Sequence, residues 1–179
     1  MIEREIKLEF ASAEAALTAI QRAGGLVRTP RRLQRDAIFD TADGRLGASG
    51  QVLRLRDDGG HARLTLKGPV HGGAMKVRDE HETAVDDGTV VAAAFAALGL
   101  HTVFRYEKYR TEFALAAATV ALDETPIGVF VEVEGEEAAV IAATHALGRT
   151  DADFVRESYR SLFLTRGGSP AGDMAFPRA

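Results

Sequence analysis

The chain has no cysteine and no tryptophan, and its 5 histidines lack the spacing of a metal site. The absence of cysteine excludes disulfides, thiol catalysis and thiolate metal sites, and it favours folding in a reducing compartment. No apolar run approaches the ~20 residues of a membrane span, and the N-terminus, charged from Glu3 onward, lacks the apolar segment of a secretory signal. We therefore expect a cytoplasmic protein without a membrane partner.

The chain also has no excess of positive charge. The 179 residues include 22 basic and 26 acidic side chains, which give a net charge of −4. Because no overall basic field exists, we expect no nucleic-acid partner, and any basic site must be local. The length fits one domain, which we predict over residues 1–166 as a monomer or homodimer. Residues 167–179 contain Gly, Pro and Ser without periodicity and predict a loose tail, although such a tail can also plug a barrel.

Alternation of side chains is the strongest local pattern. Residues 2–10 place mostly apolar side chains at even positions and charged ones at odd positions, which predicts a β-strand with one apolar and one ionic face. Strand patterns also predict strands at 37–40, 52–56, 62–67, 75–85, 103–115, 119–124 and 128–135. Helices are predicted at about 12–23, 86–98, 136–147 and 151–164.

The ionic faces of these strands carry like charges close together. Arg54 and Arg56 share one face of a strand, and so do Lys108 and Arg110. Such pairs repel each other unless an anion lies over them. The ionic faces could line the solvent side of an open sheet. Alternatively, the sheet could close so that they surround a wet cavity, with the apolar faces packed outward against helices.

A closed arrangement would be a binding site, because burying unpaired charges is costly unless both signs neutralise each other or a ligand. Clustered Arg and Lys side chains suit phosphate oxygens. Clustered carboxylates suit Mg²⁺ or Mn²⁺, which take oxygen ligands and often bridge to phosphates. A polyanion with a bound metal ion would use both sets of charges.

The order of the charged motifs resembles a known family. Glu3-Arg4-Glu5-Ile6-Lys7 resembles the ExExK motif that opens CYTH domains, the triphosphate tunnel metalloenzymes. This family includes class IV adenylate cyclases, thiamine triphosphatases and inorganic triphosphatases. The resemblance spans about residues 1 to 165 and extends to Leu53-Arg54-Leu55-Arg56, Leu64-Thr65-Leu66-Lys67, Arg78 with Glu80 and Glu82, Lys108 with Arg110, Asp123, Glu132 with Glu134, and Ser158-Tyr159.

The resemblance implies an α+β fold: an eight-stranded antiparallel β-barrel, or tunnel, with a charged lumen and about four flanking helices. It implies that basic side chains bind the phosphates of a triphosphate-bearing small molecule, namely Lys7, Arg54, Arg56, Lys67, Arg78, Lys108 and Arg110. It implies that carboxylates bind Mg²⁺ or Mn²⁺, with Glu3, Glu5, Glu132 and Glu134 also catalytic, joined by Glu80, Glu82 and Asp123. Ser158 and Tyr159 match a family pair to which we assign no role from sequence.

Three functions fit this resemblance. The first is a metal-dependent triphosphatase acting on inorganic triphosphate, thiamine triphosphate or a nucleoside triphosphate. The second is a class IV adenylate cyclase that converts ATP to cyclic AMP and pyrophosphate, and the third is a non-catalytic sensor of polyphosphate or nucleotide. We favour the first, because only two residues precede Glu3 and the ionic rows show no aromatic cluster for a nucleobase, although Tyr106 or Phe130 could lie at a mouth of the tunnel. A pure sensor would not need so many metal ligands.

Overall fold

The computed structural model describes residues 1–73 and 75–178. Over these residues, eight antiparallel strands close into a barrel in the order β1-β5-β4-β3-β2-β6-β7-β8. This confirms the predicted fold class. The strands are β1 (Ile2–Phe10), β2 (Leu26–Thr41), β3 (Val52–Asp58), β4 (Ala62–Lys67), β5 (Lys76–Val85), β6 (Leu100–Leu115), β7 (Ala118–Thr125) and β8 (Gly128–Glu134).

The described residues also form five α-helices and one short 3₁₀ turn: α1 (Ala13–Arg22), α2 (Arg45–Ala48), α3 (Gly88–Ala97), α4 (Glu137–Ala146), the turn Asp151–Asp153, and α5 (Tyr159–Thr165). Ser12 and Asp87 cap α1 and α3 through their side-chain oxygens, which accept from backbone N–H groups of the first turn. Among the described helices, none has the length and apolar character needed to cross a membrane.

The main apolar core lies outside the barrel wall. The outward faces of β1, β7 and β8 pack against α1 and α4, with Ile6, Leu8, Ile20, Val120, Val133 and Val140 among the buried residues. Because successive strand residues point to opposite faces, burying these apolar side chains outside turns the ionic side chains of the same strands inward. This reverses the usual arrangement of a small barrel and leaves its interior polar.

The second strand is the largest departure from the sequence prediction. We predicted only residues 37–40, whereas β2 runs for 16 residues and pairs with both β3 and β6. Its alternation is hidden in the sequence because its register shifts near Thr29, Arg32 and Ile38. Each shift moves side chains between the two faces.

The predicted helix at 151–164 was wrong in its first half. Only Asp151–Asp153 and Tyr159–Thr165 are helical. Phe154 forms an isolated bridge with Leu8, and the Val155 backbone N–H donates to the Lys7 carbonyl at 2.8 Å. This segment is extended because it pairs with a part of β1 that β5 does not reach.

We predicted a loose C-terminal tail, but part of this segment is ordered against the barrel. The Met174 N–H donates to the Arg105 carbonyl at 3.0 Å, and the Glu107 N–H donates to the Met174 carbonyl at 2.8 Å. Met174 is 1% exposed and packs with an apolar cluster that includes Phe104 and Leu162. These contacts form because β7 pairs with β6 only from Tyr109 onward. Ala179 lies outside the described residues.

A charged lumen as the candidate active site

The interior of the barrel is a cavity of roughly 1040 Å³ that receives side chains from all eight strands. Twelve of the predicted site residues line it: Glu3, Glu5, Arg54, Arg56, Lys67, Arg78, Glu80, Glu82, Lys108, Arg110, Glu132 and Glu134. The other two, Lys7 and Asp123, are buried beneath the lining, at 3% and 0% side-chain exposure. The ionic faces therefore surround a shared cavity, and an open sheet with these faces in solvent is excluded.

A buried carboxylate on β2 joins the two arginines of β3. Asp36 accepts a hydrogen bond from Arg56 Nε at 2.8 Å, and its Oδ1 lies 3.4 Å from Arg54 Nε. Burial acts to raise the pKa of Asp36, but the charges of Arg56 and Arg54 outweigh it and hold the pKa below its ordinary value. Sequence reasoning missed Asp36 because it placed the start of this strand at residue 37.

A second buried carboxylate holds the basic residues of β6. Asp123 accepts hydrogen bonds from Lys108 Nζ at 2.8 Å, from Arg110 Nε at 2.7 Å and from the Tyr159 hydroxyl at 2.8 Å. The surrounding cations hold the pKa of Asp123 below its ordinary value despite its burial. The structure thus places this predicted metal ligand among the predicted phosphate-binding residues, and both of its carboxylate oxygens already accept hydrogen bonds from them.

Glu132 belongs to the same network. It pairs with Arg110 and lies 3.5 Å from Lys7 Nζ and 3.9 Å from Lys108 Nζ. Burial would raise the pKa of Glu132, but these cations hold it well below the ordinary value. The pKa of Lys108 is also lowered, to about 8, because burial and the nearby Arg110 charge outweigh the attraction of Asp123 and Glu132. Lys7, Lys108 and Arg110 therefore form a basic wall of the lumen, and the nearby carboxylates neutralise its positive charge only in part.

Two other carboxylates are short of positive partners. Glu5 and Glu134 are cross-strand neighbours on β1 and β8, and within the described residues neither forms an ion pair or side-chain hydrogen bond. Burial, followed by the charges of Glu132 and Glu3, raises the pKa of Glu5. Glu134 reaches the solvent of the cavity, yet burial and the charges of Glu3 and Glu5 raise its pKa to about 7. Negative charge is in excess at this position.

Three more carboxylates connect the acidic region, which consists of Glu5 and Glu134, to basic side chains. They are Glu3, Glu80 and Glu82. Arg78 Nε donates to Glu3 at 2.8 Å, and Lys67 Nζ contacts both Glu3 and Glu80. Glu82 accepts from Arg63 Nη1 at 2.8 Å and from the Thr65 hydroxyl at 3.0 Å. These three carboxylates are therefore shared between the acidic and basic regions.

The acidic region fits a divalent cation by its chemistry. Carboxylate oxygens are the ligands that Mg²⁺ and Mn²⁺ prefer, and a cation would relieve the repulsion that raises the pKa values of Glu5 and Glu134. Within residues 1–73 and 75–178, no three carboxylates or histidines stand close enough together to enclose an ion. A divalent cation here would therefore take one or two of these carboxylates, with water or phosphate oxygens as its other ligands.

Aromatic side chains fill one end of the lumen, which corrects our expectation that the ionic rows lack an aromatic cluster. Phe104 and Tyr106 stack with their ring centroids 5.6 Å apart, and Tyr159 contacts both Tyr106 and Phe130. Phe104 and Tyr106 share the inward face of β6 with Lys108, a parity that is visible in the sequence. Next to them, the cavity is lined by the apolar residues Ile38, Phe39, Val52 and Val103.

The Ser158-Tyr159 pair has a structural explanation. The Ser158 hydroxyl accepts from the Ser161 N–H at 3.1 Å and caps α5. Capping starts the helix at Tyr159, whose hydroxyl reaches Asp123 and whose ring lies 3.9 Å from Lys7 Nζ. This short cation–π distance and the hydrogen bond connect α5 to the basic wall.

Comparisons with known proteins agree with this geometry. The chain is 27% identical over 135 residues to "Putative adenylate cyclase MJ0240" of Methanocaldococcus jannaschii, covering 75% of this chain and 77% of that protein. A solved structure from Vibrio parahaemolyticus, also described as a putative adenylate cyclase, superposes with a TM-score of 0.78 at 20% identity, covering 92% and 98% of the two chains.

HpAC1 from Hippeastrum has a similar fold. Its structure superposes with a TM-score of 0.71 at 20% identity, covering 94% of this chain and 98% of that one. It is described as a putative adenylyl cyclase that reveals a dominant triphosphatase activity. The CYTH domain profile matches residues 1–159 of the chain described here. This protein therefore belongs to the CYTH domain family.

Proposed function

We propose that this protein is a divalent-metal-dependent hydrolase of triphosphate compounds that binds the triphosphate inside the barrel. The observation that carries the proposal is the division of the lumen into two regions. On one side, buried Asp36 and Asp123 hold four basic side chains. On the other, Glu5 and Glu134 lack basic partners within the described residues and have raised pKa values. A metal-bound polyanion complements both regions.

The basic side chains that line the cavity would hold the phosphates: Arg54, Arg56, Lys67, Arg78, Lys108 and Arg110. At an effective dielectric constant of 20, each close pair of a cation and a phosphate oxygen contributes about 4 kcal/mol before desolvation. Lys7 lies beneath this surface, against Glu132 and Tyr159, and would add positive charge without direct contact. Several such pairs are sufficient to hold a triphosphate.

Hydrolysis requires in-line attack of water on the terminal phosphorus and departure of the remaining phosphate chain. Glu5 and Glu134, with Glu3 beside them, would hold the divalent cation, which when bound polarises a phosphate oxygen and activates water. The guanidinium groups of Arg54 and Arg56 would stabilise negative charge on the phosphate oxygens as the bond breaks. They are suited to this role because they are already held in place before substrate binds.

A second candidate is a class IV adenylate cyclase, in which the ribose 3′-oxygen attacks the α-phosphorus and pyrophosphate leaves. The aromatic and apolar end of the cavity favours it, because rings such as Phe104 could contact a nucleobase. The name of the archaeal relative points to the same reaction. The description of HpAC1 supports hydrolysis in a barrel of this fold, and we therefore retain hydrolysis as the first proposal.

A product assay distinguishes these functions. The purified protein is incubated with tripolyphosphate, thiamine triphosphate or ATP in Mg²⁺ or Mn²⁺, and orthophosphate and cyclic AMP are both measured. We expect metal-dependent orthophosphate release from at least one substrate, and its loss in a Glu134→Gln variant purified in parallel. Cyclic AMP without orthophosphate would overturn the proposal in favour of a cyclase, and binding without either product would indicate a sensor.

A further inference from the structure

We propose that Asp36 is a positioning residue for triphosphate binding, which acts by fixing the guanidinium groups of Arg54 and Arg56 in the lumen. The inference rests on the proposed function and extends it to a residue outside the charged motifs of the sequence. Asp36 would not touch the substrate. It would act through the two arginines that do.

The sheet register places Asp36 at the centre of this group. It is the cross-strand neighbour of Arg56 on β3 and of Tyr106 on β6, and Arg54 lies two residues along β3 on the same inward face. Neighbouring side chains on one face of a sheet are close enough to interact directly. Asp36 can therefore reach both arginines without distortion of the strands.

The contacts between Asp36 and Arg56 fix the plane of the guanidinium. Arg56 donates from Nε to Oδ1 at 2.8 Å and from Nη2 to Oδ2 at 3.3 Å, so two parallel hydrogen bonds hold one edge of the group. Such fork-like pairs impose an orientation that a single contact does not. Arg56 nevertheless lines the cavity, and in the described structure its Nη1 group is not used by Asp36.

Arg54 is held less completely. Its Nη2 donates to the Thr65 hydroxyl at 3.1 Å, and its Nε lies 3.4 Å from Asp36 Oδ1. Within residues 1–73 and 75–178, that Nε is buried and has no hydrogen-bond partner. A buried donor without a partner is costly, and this cost is offset by the charges of Asp36 and of Glu82, which lies 3.6 Å from Arg54 Nη2.

The charge balance leaves this group ready for an anion. Asp36 is 0% exposed and carries one negative charge, and the two guanidinium groups carry two positive charges. Glu82 lies 3.6 Å from Arg54 Nη2, but it is shared with Arg63, which it contacts at 2.8 Å. The Asp36 carboxylate therefore reduces the repulsion between Arg54 and Arg56 without cancelling their positive charge. Phosphate oxygens are well suited to meet the remaining charge, because arginine binds them through pairs of N–H groups.

An Asp36→Asn variant tests the inference. The amide keeps the shape of the side chain but removes its charge and replaces one acceptor oxygen with an NH₂ group. We expect the Kd for tripolyphosphate, measured by calorimetry without divalent metal, to rise about tenfold, because the arginines lose their fixed orientation. In turnover assays, KM should rise by a similar factor while kcat changes less than about threefold.

A double-variant cycle separates positioning from a general effect on folding. If Asp36 acts through Arg56, Asp36→Asn should weaken tripolyphosphate binding much less in an Arg56→Ala background than in the natural chain. Additive effects of the two changes would overturn the inference. An Arg56→Lys variant, which keeps the charge and loses the fork, should reproduce the weaker binding even if Asp36→Asn folds poorly.

Asp40→Asn is the matched control. Asp40 is also a buried β2 carboxylate, but it accepts from the backbone N–H groups of Leu46 and Gly47 rather than from arginine. The Asp40→Asn change should lower the melting temperature and leave the Kd for tripolyphosphate within about twofold of that of the natural chain. Equal losses of binding in Asp36→Asn and Asp40→Asn would contradict a positioning role. The binding measurement is independent of turnover, so it remains informative if the protein hydrolyses no triphosphate.

Discussion

The pKa values of the buried carboxylates in the lumen shift in opposite directions, according to the charges of their neighbours. Asp36, Asp123 and Glu132 are surrounded by cations that keep their pKa values low, whereas Glu5 and Glu134 face other carboxylates that keep theirs high. The sequence predicted most of these groups as one acidic set. Their division depends on cross-strand neighbours, which are known only once the register of the sheet is known. Single residues therefore showed the chemistry of the site but not its arrangement.

Neutralising either Glu5 or Glu134 should abolish turnover while leaving the fold intact. Glu5→Gln or Glu134→Gln removes a proposed ligand of the divalent cation, and we expect kcat to fall at least about a hundredfold. The melting temperature without metal should stay the same or rise, because the change removes like-charge repulsion. Differential scanning calorimetry and orthophosphate release measure the two effects.

A Glu9→Gln variant is the control for this prediction, because Glu9 pairs with Arg166 and is not among the described residues that line the cavity. Its kcat should stay near that of the natural chain. A large loss of thermal stability in Glu5→Gln or Glu134→Gln, with metal dependence unchanged, would contradict a role in metal binding.

At the scale of secondary-structure elements, much of the barrel could be predicted because strands such as β3, β4 and β8 have one largely apolar face and one polar face. The full length of β2 could not be predicted, because register shifts interrupt its alternation and its long pairing with β6 cannot be seen in the sequence. The break between the 3₁₀ turn and α5 was also hidden, because it arises from pairing of Phe154 with distant β1. In each case a contact remote in sequence overrode the local pattern.

The arginine row of β3 should govern affinity more than rate. An Arg56→Ala change removes a fork that we propose contacts phosphate, and KM for the best substrate should rise at least about tenfold. Steady-state kinetics at saturating Mg²⁺ measure this effect. Arg35→Ala on β2 is a suitable control, because Arg35 points outward and pairs with Glu107. An unchanged KM in Arg56→Ala would exclude this arginine from substrate binding.

The C-terminal segment should contribute measurably to stability. Met174→Ala removes a side chain that is 1% exposed, and such changes in a packed cluster cost about 2–5 kcal/mol. We expect a loss in this range from urea unfolding curves. Leu98→Ala, at a position that is 77% exposed, should cost less than about 1 kcal/mol. Equal and small losses in both variants would show that residues 173–176 do not hold the barrel end.

For the whole molecule, the ion pairs of the lumen should set the response to acid. The pKa values of Asp36, Asp58, Glu82, Glu112, Asp123 and Glu132 are lower in the folded chain than their ordinary values. Their stabilisation is therefore fully present above about pH 5 and is lost as the pH falls through the folded-state values.

We expect the free energy of unfolding to fall by about 2 kcal/mol between pH 6 and pH 3, because Asp36 and Asp123 bind protons in the unfolded chain over this range while their lowered pKa values keep them ionised in the folded chain. Urea unfolding at several pH values without metal measures this loss. A stability that stays constant down to pH 3 would mean that these pairs contribute little to the folded state.

The central claim is that the inward charges bind a triphosphate and a divalent cation within the barrel. A crystal structure of the protein with tripolyphosphate and Mn²⁺, using the anomalous signal of manganese to locate the metal, tests it most directly. The account predicts phosphate density against Arg54 and Arg56 and a manganese peak beside Glu5 and Glu134. Phosphate and manganese bound only on the outer surface, with an empty lumen at saturating concentrations, would contradict it.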